Sequence, residues 1–568
     1  MPPSNADIAK LLTGPGAPFE IAEAEVRGRK LRVWKNAVPS LRALLDLSRL
    51  HGAKDFLVYE DERFTFEEHW RGAAKVARVL HEQLGVRKGD RVAIAMRNFP
   101  EWPMAFFGAT AIGAVAVPLN AWWTGEELEY GLHDSSSTVL ICDAERASRL
   151  APHFEKLPDL KHVIVVRPED EPVAPEHLRW EDLIGRPGKD VKIPDVAIDP
   201  DDDATIFYTS GTTGKPKGAL GTHRNICGNV VSLAYGNVRT VLRSGQKPPD
   251  PTQPRPQTAQ LLSVPLFHAT GCHAVLCGNV AFGGKLVMMF KWDPARALEL
   301  IERERITSFG GVPAMVWQVL EHPDFGTRDL SSVQSVGYGG APAAPELVRR
   351  IQEAFPTSSP GQGYGLTETS SVTTLIGGAD YLAHPDSVGA PVAAVDVKIC
   401  DEHGKEVPIG QVGEVWINGP NVVKGYWRKP EATAESFPGG WLRSGDVGRV
   451  DEEGFLYLVD RAKDMLIRGG ENVYCVEVES VLYEHPAVMD AAVVGIPHKV
   501  LGEEVGAVVQ IVPGKTVTEK ELQTHVASKL AGFKVPVKIE FRDEPLPRNA
   551  NGKILKRQLK EEMAKYQR

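Results

Sequence analysis

The stretch Tyr208-Thr-Ser-Gly-Thr-Thr-Gly-Lys-Pro-Lys-Gly218 holds the densest set of chemically useful residues in the chain. Its glycines let the backbone approach a ligand closely and turn several N–H groups toward one point. Ser210, Thr212 and Thr213 add hydroxyl donors, and Lys215 and Lys217 add positive charge. That combination suits a polyphosphate. The spacing is not that of a GxxxxGK[ST] loop: the position five beyond Gly211 is Pro216, and no Ser or Thr follows either lysine to hold Mg²⁺. A plain Gly/Thr turn between strands rarely collects so many hydroxyls, glycines and lysines.

A second cluster, His268-Ala-Thr-Gly-Cys272-His273 followed by Cys277, has the residue types of a metal site. It lacks paired ligand spacing and follows directly on the apolar run Leu261–Phe267, so core packing is the better reading. The six cysteines are scattered with no CxxC pair, which points to a reduced, cytoplasmic setting rather than a disulfide framework.

These residues need a large scaffold to position them. The chain has 568 residues, too many for one ordinary core, so at least two domains are expected. Its 42% hydrophobic and 24% charged content is that of a soluble globular protein. A net charge of -9 argues against a nucleic-acid-binding surface. The N-terminus shows no basic region followed by an apolar stretch, hence no secretory signal. The longest uncharged run, Trp102–Leu119, is interrupted by Pro103, Gly108, Gly113 and Pro118, and reads as a buried helix and strand rather than a membrane span. The sequence is compatible with peripheral membrane contact and with a homodimer.

Residues 64–145 read as alternating strands and helices, with strands at Arg91–Met96, Val115–Leu119 and Val139–Cys142. Such alternation implies mostly parallel sheets covered by helices. A polar, Pro-rich stretch, 167–200, separates this unit from the next, and the prolines of 246–256 make a surface loop. Asp293-Pro294 predicts a helix start, with Leu298 and Ile301 on one face. Strands are also expected at Leu286–Phe290 and Val333–Val336. After Gly448 the texture changes, and a compact α/β unit of about one hundred residues follows. The boundary is placed at Asp460–Lys463, giving domains 1–460 and 461–568.

From about residue 40 to residue 560 the chain resembles the acyl-adenylate-forming superfamily of acyl-CoA synthetases, peptide-synthetase adenylation domains and beetle luciferases. The resemblance runs through the glycine-rich loop, Gly337-Tyr-Gly-Gly-Ala-Pro342, Gly363-Tyr-Gly-Leu-Thr-Glu368, Gly413-Glu-Val-Trp416, Gly425-Tyr-Trp427 and Ser444-Gly-Asp-Val-Gly448. It continues through Asp460-Arg-Ala-Lys-Asp464, Gly469-Gly-Glu-Asn472 and Pro547-Arg-Asn-Ala-Asn-Gly-Lys553. The order and spacing of these motifs are specific, and the pattern is similar to that of medium- or long-chain fatty acyl-CoA synthetases. The resemblance implies a large N-terminal α/β domain, with two parallel-type sheets, helices and a small β-barrel, and a small mobile C-terminal α+β domain.

It also implies the chemistry. A carboxylic acid would be activated by ATP and Mg²⁺ as its acyl-adenylate, then passed to the thiol of coenzyme A. Thr209, Ser210, Gly211, Thr212, Thr213, Gly214 and Lys217 would wrap the phosphates, Thr367 would contact the α-phosphate and Glu368 would ligate Mg²⁺. Tyr364, between Gly363 and Gly365, would pack on adenine, with Gly339, Gly340 and Ala341 on the other face. Asp446, assisted by Arg461, would accept hydrogen bonds from the ribose hydroxyls. Lys553 would bridge the substrate carboxylate and the α-phosphate as an electrostatic clamp. Lys463 occupies the hinge position of a family that works in two domain orientations, and the loop Gly469–Val473, with Gly470, would shape the thiol tunnel in the second.

The acid pocket implied takes in His268, Thr270, Gly311, Gly339 and Gly365. Amino-acid-activating relatives carry Asp directly after the Phe of this segment, to pair with the substrate's ammonium group; here Phe267 is followed by His268. Burying an ammonium without that partner costs several kcal/mol, roughly, so a plain carboxylic acid is preferred. His268 either gates the carboxylate end of the pocket or packs beside it. Gly310 and Gly311 leave out side chains and suggest room for a medium or long aliphatic acid, or a bulky aromatic or alicyclic one. No carrier domain follows Arg568, so coenzyme A is the simplest acceptor. Two other readings remain: an adenylating enzyme that delivers to an amine, carrier protein or oxygen, and a non-catalytic nucleotide-binding protein on the same scaffold.

Overall fold

Two largely parallel sheets carry the N-terminal part of the fold, as the alternation of short apolar strands and helical patterns predicts. The computed structural model describes residues 3–566 apart from 169–173, 175, 186–187, 189, 210–214, 249–252, 254, 341–344, 462–463, 470 and 550–551. The first sheet has the order Lys217–Thr222, Asp203–Thr209, Val115–Pro118, Arg91–Ala95, Val139–Asp143, His162–Val166, Leu178–Arg179. All its pairs are parallel except the first, which is an antiparallel hairpin whose connection is the glycine-rich loop. The uncharged run forms the helix Glu101–Thr110 and the strand Val115–Pro118. Trp102, Phe106 and Phe107 of that helix are fully buried, with Trp102 and Phe106 stacked at 5.5 Å. Each such ring contributes roughly 2–3 kcal/mol of burial.

The second sheet has the order Ala390–Pro391, Thr374–Gly377, Ser359–Tyr364, Ser335–Gly339, Ser308–Gly311, Ala259–Leu262, Lys285–Met288, Asp55–Tyr59, Glu62–Thr65. Its six central strands are parallel. Asp293 caps the helix Pro294–Arg303 by accepting from Arg296 N, and Leu298 and Ile301 are buried as expected. The strand expected at Val333–Val336 begins at Ser335 and runs to Gly339, because residues 331–334 turn into the sheet with Val333 already buried.

Chain order decides where this sheet can bind a ligand. From Ala259–Leu262 the chain crosses to Lys285–Met288 on one side, then to Ser308–Gly311 on the other. The resulting switch point opens a crevice at the carboxyl ends of Ala259–Leu262 and Ser308–Gly311. Where a small β-barrel is expected, the described strands form an antiparallel sheet, Asp396–Cys400, Gly413–Asn418, Leu442–Val450, Leu456–Arg461. A further sheet follows. The hairpin Val488–His498 and Gly502–Ile511 is flanked by Lys538–Arg542 and Leu466–Arg468, and helices Cys475–Tyr483, Glu519–Ala527 and Lys556–Met563 accompany it. Among the described residues no helix is long and apolar enough to cross a membrane.

Candidate active site

Two of the sequence motifs sit at carboxyl ends of parallel strands. Gly339 and Gly340 end one strand, and Gly365-Leu366-Thr367-Glu368 leaves the next. A Cβ on Gly365 would lie 1.6 Å from the carbonyl oxygen of Ser371, so only glycine lets the chain fold back there. Thr367–Thr369 make a tight helical turn, and Ser370 and Ser371 then hold positive φ of 54° and 103°. Such strain is kept where a motif must present its side chains in one direction.

Glu368 is held by a tyrosine. Its Oε1 accepts from Tyr426 Oη at 2.8 Å, and the ammonium of Lys217 lies 5.0 Å from the centre of the Tyr426 ring. Tyr426 reaches this position because residues 424–427 run as a strap along the strand that ends the glycine-rich loop: Leu220 N donates to Gly425 O, Lys424 N to Leu220 O and Trp427 N to Gly218 O. Burial pushes the Glu368 carboxyl above the ordinary carboxylate range, while the Tyr426 hydroxyl and Arg461 oppose the shift. Glu368 is half-buried, and a carboxylate whose charge is disfavoured gains from a hard cation with oxygen preference, so the donor chemistry fits Mg²⁺.

Across from this pair, Tyr364 Oη donates to Asp446 Oδ2 at 2.8 Å and Arg461 Nε lies 3.2 Å from Asp446 Oδ1. Asp446 and Arg461 are directly opposite each other in neighbouring antiparallel strands, which fixes the pairing. Each carboxylate oxygen keeps a second lone pair, so Asp446 can still accept two hydroxyl donors. Tyr364, Gly363, Gly365, Gly340, Asp446 and Arg461 line one cleft of about 720 Å³.

Lys553 lines the same cleft. It ends a tight loop in which Asn549 N donates to Lys553 O and Lys553 N donates to Asn549 Oδ1. Gly552, at φ +73°, presses on the sheet: a Cβ there would meet Val312 Cγ2 at 2.5 Å. Val312 follows the strand Ser308–Gly311, so the lysine loop docks at the switch point.

The acid end differs from expectation. Gly310 does not leave room for substrate, because its Cβ position falls 1.5 Å from the Gly337 carbonyl oxygen of the neighbouring strand. Its missing side chain serves close strand packing. At Gly311, φ +143°, an added Cβ would meet Met315 Sδ at 2.7 Å and Ser263 Oγ at 2.9 Å. His268 packs edge-on against Phe267 with ring centres 4.6 Å apart, and its Nε2 is buried without a hydrogen-bond partner among the described residues. Burial lowers the imidazole to about 3, so it is neutral at physiological pH. Thr270 is exposed. His268, Thr270, Gly311, Thr367, Glu368 and Gly339 are not among the residues lining the interior of the 720 Å³ cleft.

Ser210, Gly211, Thr212, Thr213, Gly214, Ala341, Lys463 and Gly470 lie outside the described residues. Thr209, in the strand before the loop, is described, and its Oγ1 donates to Lys217 O at 3.3 Å. Sequence reasoning missed Tyr426 as a functional group, although Gly425-Tyr-Trp427 marked the segment. A hydroxyl aimed at a distant carboxylate leaves no periodic trace.

Comparisons with known proteins agree with this geometry. Residues 47–427 match the family model described as AMP-binding enzyme, and residues 477–553 match the AMP-binding enzyme C-terminal domain. The chain is 37% identical over 496 residues to a feruloyl-CoA synthase from Amycolatopsis sp, covering 87% of this chain and 92% of that protein. It is 34% identical over 537 residues to a long-chain-fatty-acid–CoA ligase from Bacillus subtilis (strain 168), covering 90% and 92%. Among solved structures it is similar to an anthranilate CoA ligase in complex with anthranoyl-AMP, with a TM-score of 0.83, 27% identity, and coverage of 93% of this chain and 98% of that one.

Proposed function

Because the chain belongs to the AMP-binding enzyme family, we propose that it is an AMP-forming ligase joining a hydrophobic monocarboxylic acid to coenzyme A. The observation that carries this reading is the convergence of Tyr364, Asp446, Arg461 and Lys553 on one cleft at the carboxyl ends of two neighbouring parallel strands, Ser335–Gly339 and Ser359–Tyr364. In the first half-reaction a carboxylate oxygen of the acid attacks the α-phosphorus of ATP, and pyrophosphate leaves. In the second the thiol sulfur of coenzyme A attacks the acyl carbon, AMP leaves with the bonding pair, and the thiol proton passes to solvent.

Both reactants of the first step are anions, so the chain's own contribution is positive charge and orientation. Lys553 sets an ammonium between carboxylate and α-phosphate. Lys217 and the glycine-rich loop take the outer phosphates, and Thr367 the α-phosphate. Asp446 orders the ribose and Tyr364 the adenine. Glu368 would hold Mg²⁺, which would supply further positive charge to the phosphates. Residues 1–460 carry these ATP- and acid-binding groups, residues 461–568 bring Lys553, and Lys463 serves as hinge. The six cysteines are free and buried, which supports a reducing, cytoplasmic setting.

The acid is hydrophobic and carries no ammonium group. His268 stands where a counter-ion for one would be, and it is neutral. Aromatic and long aliphatic acids both fit that description; feruloyl-CoA synthase and a long-chain-fatty-acid–CoA ligase are the relatives that support it. A panel of acids incubated with ATP, Mg²⁺ and coenzyme A, read by mass spectrometry for AMP and acyl-CoA, tests the proposal. Hydrophobic monocarboxylic acids should exceed free amino acids of similar side chain by at least about tenfold, the factor equivalent to 1.4 kcal/mol. Equal turnover of an amino acid would overturn the pocket assignment, and AMP formation without acyl-CoA for any acid would overturn the acceptor.

A further inference from the structure

A second lysine stands close behind the one in the cleft. Lys556 opens the C-terminal helix Lys556–Met563 and lies three positions beyond Lys553 on the same segment. Its Nζ is 2.7 Å from Glu479 Oε1, on the helix Cys475–Tyr483, and its side chain is only 19% exposed. The same Glu479 oxygen accepts from Val493 N at 2.7 Å, so the carboxylate is anchored to the strand Val488–His498 as well.

Asp460 faces this pair from the other side of the proposed joint between the two domains. It lies in the last strand of the antiparallel sheet, is 5% exposed, and its Oδ2 accepts from Cys475 N at 2.5 Å. Tyr474, at the N-cap of helix Cys475–Tyr483, provides no side-chain cap, so Asp460 caps that helix from across the joint. Its Oδ1 accepts from Arg461 N at 2.7 Å. Burial works against the Lys556 charge, and Glu479 and Asp460 more than offset it, raising its pKa. Burial likewise pushes Asp460 up to about 6, with Lys556 pulling it back. Asp460, Glu479, Lys556 and Lys553 all line the one cleft.

An ammonium with one direct and one facing carboxylate does more than hold a surface helix in place. The segment Arg548–Lys556 is tied at both ends: Arg548 Nη2 lies 2.5 Å from Asp490 Oδ2, and Lys556 meets Glu479. Lys553 is on the tight loop between the two ties. A catalytic ammonium displaced by about 1 Å costs on the order of a hundredfold in rate, so the second tie bears directly on the chemistry.

We propose that Lys556 is a positioning residue for Lys553: its pairing with Glu479, facing Asp460 across the joint, fixes the lysine loop at the adenylating end of the cleft. This rests on the assignment of Lys553 as the adenylating lysine. The Lys556 ammonium is held on Glu479, and its proposed role is exerted through the loop. Asp460 makes the arrangement depend on how the antiparallel sheet and the C-terminal unit are oriented, since its partners Cys475 and Lys556 lie beyond the joint.

The test is a double-mutant cycle in the full-length enzyme, with acid-dependent pyrophosphate exchange measured beside transfer to coenzyme A from supplied acyl-AMP. Lys556→Gln should slow exchange by about tenfold to a hundredfold and leave transfer within about threefold of wild type. Lys556→Arg, which keeps the charge, should restore most of the loss. In a Lys553→Ala background Lys556→Gln should add nothing further, because residues that act through one group are non-additive. Glu479→Gln should reproduce the Lys556→Gln pattern, and it decides the matter if Lys556→Gln proves unfolded by circular dichroism. Equal slowing of both half-reactions, or an undiminished effect of Lys556→Gln in the Lys553→Ala background, would overturn the proposal. If Lys553→Ala alone leaves exchange unchanged, the Lys553 assignment has failed instead; if Lys553→Ala slows exchange and Lys556→Gln does not, only the positioning role has failed.

Discussion

Replacing Lys553 by alanine is expected to slow acyl-adenylate formation by about 10²–10³, the usual loss for one donor that stabilises charge in a transition state. The expectation follows from where the residue stands. Its loop rests on Val312 at the end of a parallel strand, and its side chain lines the cleft shared with Tyr364, Asp446 and Arg461. Two anions meet during adenylation, whereas the thiol that attacks in the second half-reaction meets a neutral acyl carbon. Thioester formation from chemically supplied acyl-AMP should therefore be nearly unaffected. Single-turnover measurement of each half-reaction checks this, with thermal midpoints confirming that the variant is folded. Equal slowing of the two would contradict a role confined to adenylation.

Glu368→Gln is expected to cost at least about 10² in adenylation, through loss of a ligand that a neutral amide replaces poorly. The carboxylate's charge is what draws a hard cation, and Gln keeps the shape while removing the charge. Tyr426→Phe serves as the graded companion. It removes the hydroxyl that orients Glu368 Oε1 and keeps the ring beneath Lys217, so a loss of about tenfold is expected, in line with partners of metal ligands. In both variants the Mg²⁺ concentration giving half-maximal pyrophosphate exchange should rise. An unchanged Mg²⁺ dependence in Glu368→Gln would remove that residue from the metal site.

The motifs proposed for this site were legible because they are local, and the structure brings Tyr364, Asp446, Arg461 and Lys553 to one cleft. The glycine-rich loop, the turn Gly365–Glu368 and the loop ending in Lys553 are each defined by residues adjacent in sequence, where glycines, hydroxyls and charges leave a recognisable spacing. The parallel sheets were legible from the length of the apolar runs between helical stretches, and Asp293-Pro294 announced its helix through capping chemistry alone.

What sequence reasoning missed are relations between distant segments. Tyr426 meets Glu368 only because residues 424–427 lie along the strand Lys217–Thr222. Asp460, on the last strand of the antiparallel sheet, caps a helix that begins at Cys475. Gly310 shows the opposite failure: in sequence its missing side chain reads as space for substrate, whereas the adjacent strand fills it. Glycine in a strand marks close approach, and sequence does not say whether ligand or backbone approaches.

Formation of an acyl-adenylate before coenzyme A takes part is the step on which the proposed function stands or falls. Its most direct test is exchange of labelled pyrophosphate into ATP with a hydrophobic carboxylic acid and Mg²⁺, in the absence of coenzyme A. Exchange should depend on the acid and fall by about 10²–10³ in Lys553→Ala. Release of ADP and phosphate in place of AMP and pyrophosphate, or exchange that proceeds equally without any acid, would contradict it.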